Sequence, residues 1–359
     1  MKIVDVKTVD VLVVGLGPAG GAAAAQAARA GLSVLAIDKK HRVGEPVQCA
    51  EFIPAPMGRY AQAPGVLHQR IEGMKSYLPS GSVEQSPFPG LMIDRAGFDR
   101  AFAEAAQAAG AELLLSTRLV ALDARNAVAT VANAEGQVEL RYRALIAADG
   151  PHSSVARALN LPALDVVYTR QYTVPLLREY VDTDIWLSDD FPGGYGWLFP
   201  KGRTANLGLG ADRAFEPNLK APLERLHAHM AASGLVGKEI LARTGGAIPV
   251  GGLRAKLTHG NIVFVGDAAG LTHPITGAGI SAAVTSGERA ADAAEVFVDS
   301  GDVAAFAEYE SDIRDQFEPT LARAVARRQE LQGVWRRPAA SADAAMRRGW
   351  IAFNEYFAA

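Results

Sequence analysis

Residues 11–20 read Val-Leu-Val-Val-Gly-Leu-Gly-Pro-Ala-Gly, an apolar run followed at once by a Gly-x-Gly-x-x-Gly spacing. The alanine-rich stretch from Ala19 to Ala30 predicts a helix. The segment therefore predicts strand, tight turn and helix in that order. Gly15 permits the turn, Gly17 lets the backbone approach a pyrophosphate, and Gly20 lets the helix pack close to the strand. These features are typical of a dinucleotide-binding βαβ unit.

An acidic residue follows the next predicted strand. Residues Ser33 to Ile37 form this strand and Asp38 follows, close to the roughly 20-residue offset at which a carboxylate binds a ribose 2′-hydroxyl. A carboxylate at this position would repel a 2′-phosphate. Because the helix N-terminus also favours phosphate groups, the adenosine half of FAD or NAD fits here, and NADP fits poorly.

Two later glycine-marked segments favour FAD over NAD, whose fingerprint usually stands alone. They are AADGPHS at residues 147–153 and GDAAGLTHPITGAG at residues 266–279. The apolar run 262–265 leads directly into the second of these, which places Asp267 at the carboxyl end of a strand. There its carboxylate can accept a hydrogen bond from a ribityl hydroxyl.

A helix is predicted directly after these residues. Pro274 and the turn at residues 277–279 open a helical stretch from about Ile280 to Val298. The positive end of that helix can stabilise the negative charge that develops on the pyrimidine edge of a flavin during reduction. We therefore predict that all three segments form one flavin site; the alternative is that residues 266–279 are an ordinary loop.

The motifs resemble those of FAD-dependent geranylgeranyl reductases, within a broader group that also holds aromatic hydroxylases and flavin halogenases. The resemblance covers about Val9 to Val298. PVQCAE at residues 46–51 and YGWLFPKG at residues 195–202 point more narrowly to the reductases, and the second is similar to the YxWxFP signature of isoprenoid reductases. The WxWxIP signature of flavin halogenases does not match, because position 195 is Tyr and position 199 is Phe.

The resemblance implies the FAD-binding residues. Arg95 matches the arginine that often opens a helix near the FAD pyrophosphate or ribityl chain, although a solvated arginine at a helix start is the alternative. The implied residues are Gly15, Gly17, Pro18, Ala19, Gly20, Asp38, Lys39, Arg95, Val120, Asp149, Gly150, Gly266, Asp267, Pro274, Gly277, Ala278 and Gly279.

The order of the motifs predicts an α/β fold with a discontinuous organisation. We expect a Rossmann-like FAD-binding domain, an inserted antiparallel β-sheet substrate domain and a C-terminal helical region. A hairpin turn is predicted at residues 201–203, and a helix from Arg95 to Gly110. The predicted ranges are 1–50, 92–160 and 255–300 for the FAD-binding domain, 51–91 and 161–254 for the substrate domain, and 301–359 for the helical region.

Reduction of an isolated alkene needs a hydride for one carbon and a proton for its neighbour. By the resemblance, Cys49 is the candidate proton donor and Glu51 holds its proton network or anchors the loop. The alternative for Cys49 is a small buried apolar side chain. Tyr195, Trp197 and Phe199 alternate on a predicted strand, so they share one face and either form an aromatic wall for a polyprenyl chain or belong to the core.

Three functions are consistent with these motifs. The first is an FAD-dependent oxidoreductase that reduces carbon–carbon double bonds of a prenyl group on a lipid, quinone or pigment precursor. The second is an FAD-dependent aromatic monooxygenase, and the third is an electron-transfer flavoprotein acting on a quinone or protein acceptor. No second nucleotide fingerprint is found in the sequence, so we expect NAD(P)H, or a ferredoxin-like protein, as a transient electron donor.

Composition excludes several other classes. The chain has 359 residues, of which 49% are hydrophobic and 21% charged, and a net charge of −3, so nucleic-acid binding is not expected. A single cysteine, Cys49, excludes an internal disulfide and a cysteine-ligated iron–sulfur cluster. His227 and His229 have no clear third ligand, so we expect no metal. Charged residues from Lys2 to Asp10 argue against a secretory signal, so we expect a cytoplasmic protein.

The C-terminal tail differs in composition. Residues 304–335 have a helical pattern of mixed charge, and seven arginines lie between Arg323 and Arg348. Aromatic residues accompany them: Trp335, Trp350, Phe353, Tyr356 and Phe357. The tail is either a basic helix peripheral to the inner face of a membrane, which would suit a prenyl-lipid substrate, or a helical cap with a solvated arginine face. We favour the cap.

Overall fold

The computed structural model of the protein describes residues 7–335 and 342–358, so Lys2, Asp5, Arg336 and Arg337 lie outside the described residues. Its helices are α1 (Pro18–Arg29), α2 (Arg95–Ala108), α3 (Ser154–Ala158), α4 (Lys220–Ala232), α5 (Gly266–Ala269), α6 (Ile280–Ser300), α7 (Ala304–Trp335), α8 (Ala342–Gly349) and α9 (Asn354–Phe357), with a 3-10 helix at Ala55–Tyr60. Its strands are β1 (Lys7–Val14), β2 (Val34–Ile37), β3 (Phe52–Pro54), β4 (Leu67–Tyr77), β5 (Val83–Ile93), β6 (Glu112–Leu114), β7 (Arg118–Asp123), β8 (Val128–Asn133), β9 (Gly136–Ala147), β10 (Val166–Pro175), β11 (Asp182–Trp186), β12 (Gly196–Lys201), β13 (Thr204–Ala211), β14 (Ala242–Thr244), β15 (Ala247–Pro249), β16 (Thr258–His259) and β17 (Ile262–Phe264).

The first sheet has the strand order β16-β17-β9-β1-β2-β6, with β8 and β7 continuing from β9. Strand β1 pairs in parallel with β2 and β9, and β17 pairs in parallel with β9. Residues Val11–Val14 are buried without alternation, as expected for a parallel strand that is covered on both faces. The predicted Rossmann-like α/β fold class is confirmed. It places the carboxyl ends of β17, β9, β1 and β2 side by side.

The second sheet has the order β14-β10-β13-β12-β11-β4-β5-β3. Its neighbours are antiparallel except for β11 and β4. Lys201 pairs with Thr204 across a two-residue turn in which Gly202 has φ of 65°, so the predicted hairpin is confirmed. One face of this sheet packs against α4 in an apolar cluster that includes Tyr172 and Leu223.

The C-terminal helices cover the other face of the second sheet. Four tail aromatics are at most 8% exposed, namely Trp335, Trp350, Phe353 and Tyr356, whereas Phe357 is 57% exposed. The expected solvated arginine face is wrong for Arg327 and Arg328, which are each 6% exposed. Arg327 Nε donates to the Tyr356 carbonyl (3.1 Å) and Arg328 Nη1 to the Gly193 carbonyl (2.6 Å), so backbone acceptors replace water. No helix in the described ranges is long and apolar enough to cross a membrane.

Candidate active site

The first glycine turn shows two different constraints. Gly15 has φ of 102°, and a Cβ there would lie 2.4 Å from the Ala148 carbonyl oxygen. A Cβ on Gly20 would lie 1.8 Å from the Gly15 carbonyl oxygen. Both glycines are therefore required by close packing between α1, β1 and the segment after β9. A Cβ on Gly17, in contrast, would meet no protein atom within 4 Å, which fits a position where a ligand passes close to the backbone.

The three predicted segments meet at one edge of the first sheet. A Cβ on Gly15 would lie 2.9 Å from Cα of Asp149, and one on Gly266 would lie 3.0 Å from Cβ of Ala19. Asp38 fixes the turn itself, since its carboxylate accepts hydrogen bonds from the backbone N–H groups of Leu16 (2.7 Å) and Lys40 (2.8 Å).

Asp149 carries a buried oxygen that fits a ligand. Its Oδ2 accepts hydrogen bonds from Ser154 N (2.5 Å), Ser154 Oγ (2.6 Å) and Val155 N (3.2 Å). Its Oδ1 is buried and has no hydrogen-bond partner in the described chain. A buried carboxylate oxygen without a partner is costly, so this atom fits a donor on a bound dinucleotide. Together with the open space at Gly17, it indicates that the cleft fits FAD.

Asp267 lies at the start of α5, beside the N-terminus of α6. Its Oδ1 accepts a hydrogen bond from Thr272 Oγ1 (2.5 Å). Burial raises the pKa of this carboxyl, although Thr272 and the charge of Arg95 lower it. A Cβ on Gly279 would lie 2.8 Å from Thr272 Oγ1, so the glycine at the start of α6 allows these groups to approach.

We predict that Asp267→Ala weakens FAD binding about tenfold or more, because it removes a buried acceptor for a ribityl hydroxyl. The dissociation constant can be measured by flavin fluorescence on the apoprotein. Asp315→Ala, on the exposed surface of α7, is the matched control and should leave FAD binding unchanged. Equal FAD affinity in the Asp267 variant and the wild type would contradict the assigned role.

Arg95 is largely buried and paired. Its Nε donates to Asp99 Oδ1 (2.8 Å) and its Nη2 to Asp99 Oδ2 (3.2 Å), and the side chains are 17% and 4% exposed. The alternative of a solvated arginine is therefore wrong. Asp99 was not anticipated, although the i, i+4 spacing on a helix is a signal that could have found it.

Lys39 and Val120 lie on the surface of the FAD-binding half. Lys39 is exposed, and Val120 is 41% exposed on β7 at a register shift between Leu119 and Ala121. Their contacts with FAD stay predictions.

Cys49 and Glu51 lie in a loop between the two sheets. The Glu51 backbone N–H donates to Cys49 Sγ (3.2 Å). Burial raises the pKa of the Cys49 thiol, while nearby Arg95 lowers it. A thiol with a raised pKa stays protonated at neutral pH, so Cys49 can hold a transferable proton.

Both carboxylate oxygens of Glu51 accept hydrogen bonds from other residues of the protein. Its Oε1 accepts from Arg95 N (3.0 Å), its Oε2 from Asn206 Nδ2 (2.8 Å), and both oxygens lie 2.8 Å from Lys201 Nζ. The side chain is 5% exposed and the residue has φ of 70°, in the left-handed region. This arrangement favours the anchoring role over the proton-network role.

Buried amides that the sequence did not reveal hold the same loop. Gln171 Nε2 donates to the Cys49 carbonyl (3.1 Å), and Asn206 Nδ2 donates to the Ala50 carbonyl (3.2 Å). Gln171 Oε1 accepts from Trp197 Nε1 (3.0 Å), which connects the loop to the aromatic strand. The loop is therefore fixed from β10 and β13 of the second sheet.

Tyr195, Trp197 and Phe199 do share one face of the second sheet. Tyr195 and Trp197 ring centroids are 5.6 Å apart, and all three rings belong to the apolar cluster beneath the C-terminal helices. Trp350 meets Tyr195 edge to face with ring centroids 4.8 Å apart. These three residues, which we call the aromatic wall, are thus packed in the core beneath the tail, as the second alternative predicts, and lie beside the Cys49 loop.

His273, in the segment 266–279, connects the predicted flavin site to the C-terminal tail. Its Nδ1 accepts from the backbone N–H groups of Ile275 (3.3 Å) and Thr276 (3.2 Å), so its proton resides on Nε2 and is donated to Tyr356 Oη (3.2 Å). Burial lowers the pKa of His273 to about 4.

This shift predicts acid sensitivity. Because the folded pKa lies below the unfolded value, the contribution of His273 is present above about pH 6.5 and is lost as the pH falls toward 4. Between pH 7 and pH 5 the wild type should lose about 2 kcal/mol of unfolding free energy more than His273→Gln. Urea titrations of both proteins at each pH measure this; an equal loss in both would contradict it.

Two family models match the chain. The model described as FAD dependent oxidoreductase matches residues 10–153, and the model described as Lycopene cyclase protein matches residues 217–354. A digeranylgeranylglycerophospholipid reductase from Methanocella arvoryzae is 35% identical over 332 residues, covering 87% of this chain and 84% of that protein. The chain belongs to the geranylgeranyl reductase family. It is an FAD-dependent oxidoreductase, as the motifs predicted.

Solved structures agree with this assignment. A geranylgeranyl bacteriochlorophyll reductase-like protein from Thermoplasma acidophilum superposes with a TM-score of 0.84 at 29% identity, covering 91% of this chain and 88% of that protein. A probable FAD-dependent monooxygenase from Pseudomonas aeruginosa has a TM-score of 0.71 at 20% identity, covering 91% and 97% of the two chains. The second similarity shows the shared fold alone, so membership of the reductase family rests on the closer relatives.

Proposed function

We propose that this geranylgeranyl reductase family member reduces carbon–carbon double bonds of prenyl chains on a lipid. The observation that carries the proposal is the aromatic wall beside Cys49, whose Tyr195 hydroxyl donates to the Thr276 carbonyl (2.5 Å) in the segment 266–279. Relatives at 33–35% identity are named as reductases of a digeranylgeranylglycerophospholipid, whereas the monooxygenase similarity is at 20% identity. The reductase is therefore favoured over the aromatic hydroxylase.

Residues of this chain would divide the work as follows. Gly17, Asp149 and Asp267 would hold FAD, which supplies the hydride when bound. The aromatic wall would hold the prenyl chain by apolar contact, and its ring faces would stabilise positive charge at a branched carbon. Cys49 would deliver the proton to the neighbouring carbon, and Glu51 would position the Cys49 loop.

We further propose an electron donor for the enzyme and a location in the cell. The dinucleotide fingerprint at residues 15–20 would bind FAD, so the electron donor would have no fingerprint of its own. Either NAD(P)H or a ferredoxin-like protein would therefore bind transiently and reduce the flavin. A cytoplasmic protein that works at the inner face of a membrane would meet prenyl lipids there. We also propose the predicted domain division, with the prenyl chain bound between the second sheet and the tail after the tail moves away from the aromatic wall.

An anaerobic experiment tests the function. The purified flavoprotein is reduced with dithionite, and geranylgeranylated lipids or aromatic compounds are added while the flavin spectrum and the product masses are followed. Flavin reoxidation with a gain of about two mass units per double bond is expected from the addition of one hydride and one proton. Reoxidation that needs oxygen, with hydroxylated product, would instead establish the monooxygenase.

We predict that Cys49→Ala keeps FAD bound and lowers kcat about 100-fold, because the proton donor is lost. Since burial raises the thiol pKa, wild-type kcat should be level through neutral pH and fall on the alkaline side as the thiol ionises. Single-turnover reoxidation across pH measures both effects. A Cys49→Ala enzyme with full kcat at substrate saturation would remove Cys49 from the mechanism and leave it an apolar packing residue.

A further inference from the structure

A second pocket, of about 410 Å³, lies at the β14 edge of the second sheet. Four cationic side chains line it, Arg170, Arg213, Lys220 and Arg243, and none of the described residues that line it is acidic. We call it the cationic pocket. It shares no lining residue with the FAD cleft or the aromatic wall.

The arginines are held side by side by aromatic rings. Tyr168, Arg170 and Tyr172 alternate along β10, so their side chains share one face. The Arg213 guanidinium lies 3.8 Å from the Tyr168 ring centroid, and the Arg243 guanidinium lies 5.7 Å from that of Tyr172. Arg170 therefore lies between these two tyrosines on the same face of β10.

Most of this positive charge has no counter-charge among the described residues. Within residues 7–335 and 342–358, Arg170, Arg213 and Arg243 form no ion pair, and Lys220 pairs at 3.5 Å with the exposed Glu224. Arg170 Nε is buried and has no hydrogen-bond partner in the same residues. The N-terminus of α4, which begins at Lys220, has no acid in its first turn and adds its positive dipole end. Like charges gathered in this way repel one another unless an anion binds among them.

We propose that the cationic pocket binds a phosphate group. Guanidinium forks match phosphate oxygens in paired hydrogen bonds, and stacking on tyrosine leaves their N–H edges available. Gln171 faces Trp197, so its neighbour Arg170 points to the opposite face of the sheet. The pocket therefore lies across the sheet from the aromatic wall. Its phosphate belongs to a molecule other than the one held at the wall, either a nucleotide or a lipid with its own head group.

One residue of the cationic pocket is bonded to the Cys49 loop. Thr244, which lines the pocket, donates from Oγ1 to the Val47 carbonyl. Gly246, the residue after the lining residue Gly245, also lies near the loop, since a Cβ there would be 3.4 Å from Cβ of Gln48. A ligand in the pocket would thus lie against Thr244, which is hydrogen-bonded to the loop. The inference does not rest on the proposed reduction of prenyl lipids, because phosphate binding is measured without turnover.

Calorimetry on the FAD-loaded protein tests the proposal. The probes are inorganic pyrophosphate, adenosine 2′,5′-bisphosphate with adenosine as its phosphate-free partner, and dihexanoyl phosphatidic acid with dihexanoylglycerol as its partner. We expect saturable one-to-one binding of phosphate-bearing probes and none of the phosphate-free partners. The tighter of the two organic probes identifies the source, nucleotide or lipid.

Arg170→Gln/Arg213→Gln/Arg243→Gln should weaken binding about tenfold or more, since three charge-assisted contacts are lost. Arg29→Gln/Arg125→Gln/Arg141→Gln removes the same charge from exposed, scattered arginines and should bind as wild type does. The single variant Arg243→Gln, whose arginine is exposed, should show a smaller loss and serves if the triple variant misfolds. Wild-type affinity in the pocket variants, or no saturable binding of any phosphate probe, would overturn the proposal.

Discussion

Gly20→Ala should destabilise the fold by about 3 kcal/mol or more and abolish FAD binding, whereas Gly17→Ala should weaken FAD binding with little effect on the fold. The two glycines belong to one motif but face different neighbours. A Cβ on Gly20 would lie 1.8 Å from a backbone oxygen of Gly15, so α1 must move away from β1 to accept it. A Cβ on Gly17 meets no protein atom within 4 Å, so the constraint there comes from the ligand.

Urea unfolding of the apoproteins and FAD titration separate these effects. For Gly17→Ala we expect a loss of less than about 1 kcal/mol in unfolding free energy, because the position is the N-cap of α1 and alanine caps less well than glycine. Its FAD dissociation constant should rise about tenfold or more, as a methyl group enters the space of the pyrophosphate. Unchanged FAD affinity in Gly17→Ala would show that the phosphates do not pass this residue.

The FAD-binding half could be predicted from sequence because its signals are local. Residues 11–38 contain strand, turn, helix and acid in order, and the observed β1, α1 and β2 match that order. The hairpin at residues 201–203 was likewise visible, since a two-residue turn with glycine is a short-range feature. Such local patterns determine the backbone conformation of each segment. Parallel pairing of β17, β9, β1 and β2 then brings their carboxyl ends together.

The anchoring of the Cys49 loop could not be predicted, because it depends on contacts distant in sequence. Gln171 and Asn206 lie within β10 and β13, where no local motif distinguishes them from ordinary strand positions. They bind the loop at separations of 122 and 156 residues. The packing of the tail on the aromatic wall also depends on residues distant in sequence. Arg327 and Arg328 can be buried because they donate to the carbonyl groups of Tyr356 and Gly193, and no motif near the arginines predicts these contacts.

The ion pair between Glu51 and Lys201 leads to the second large expected effect. Lys201 lies two residues after Phe199 in β12, and its side chain is 16% exposed against 6% for Glu51. Removing one partner of a buried pair leaves a charge without compensation, which costs about 3–5 kcal/mol. Glu51→Gln and Lys201→Met should each lose this amount, and the double variant should recover part of it.

The effect should extend to catalysis, because the Glu51 side chain binds both Lys201 Nζ and the backbone N–H of Arg95, the first residue of α2. These bonds fix the loop at Glu51, whose backbone is in the left-handed region. When that anchor is weakened, Cys49 is no longer fixed beside the aromatic wall, so kcat should fall while FAD remains bound. Asp312→Asn, which breaks the exposed pair with Arg289, is the matched control and should cost less than about 1 kcal/mol. If Glu51→Gln kept wild-type stability but lost turnover, Glu51 would act in proton transfer rather than as an anchor. Parallel losses of stability and of kcat, with partial recovery in the double variant, are what an anchoring role requires.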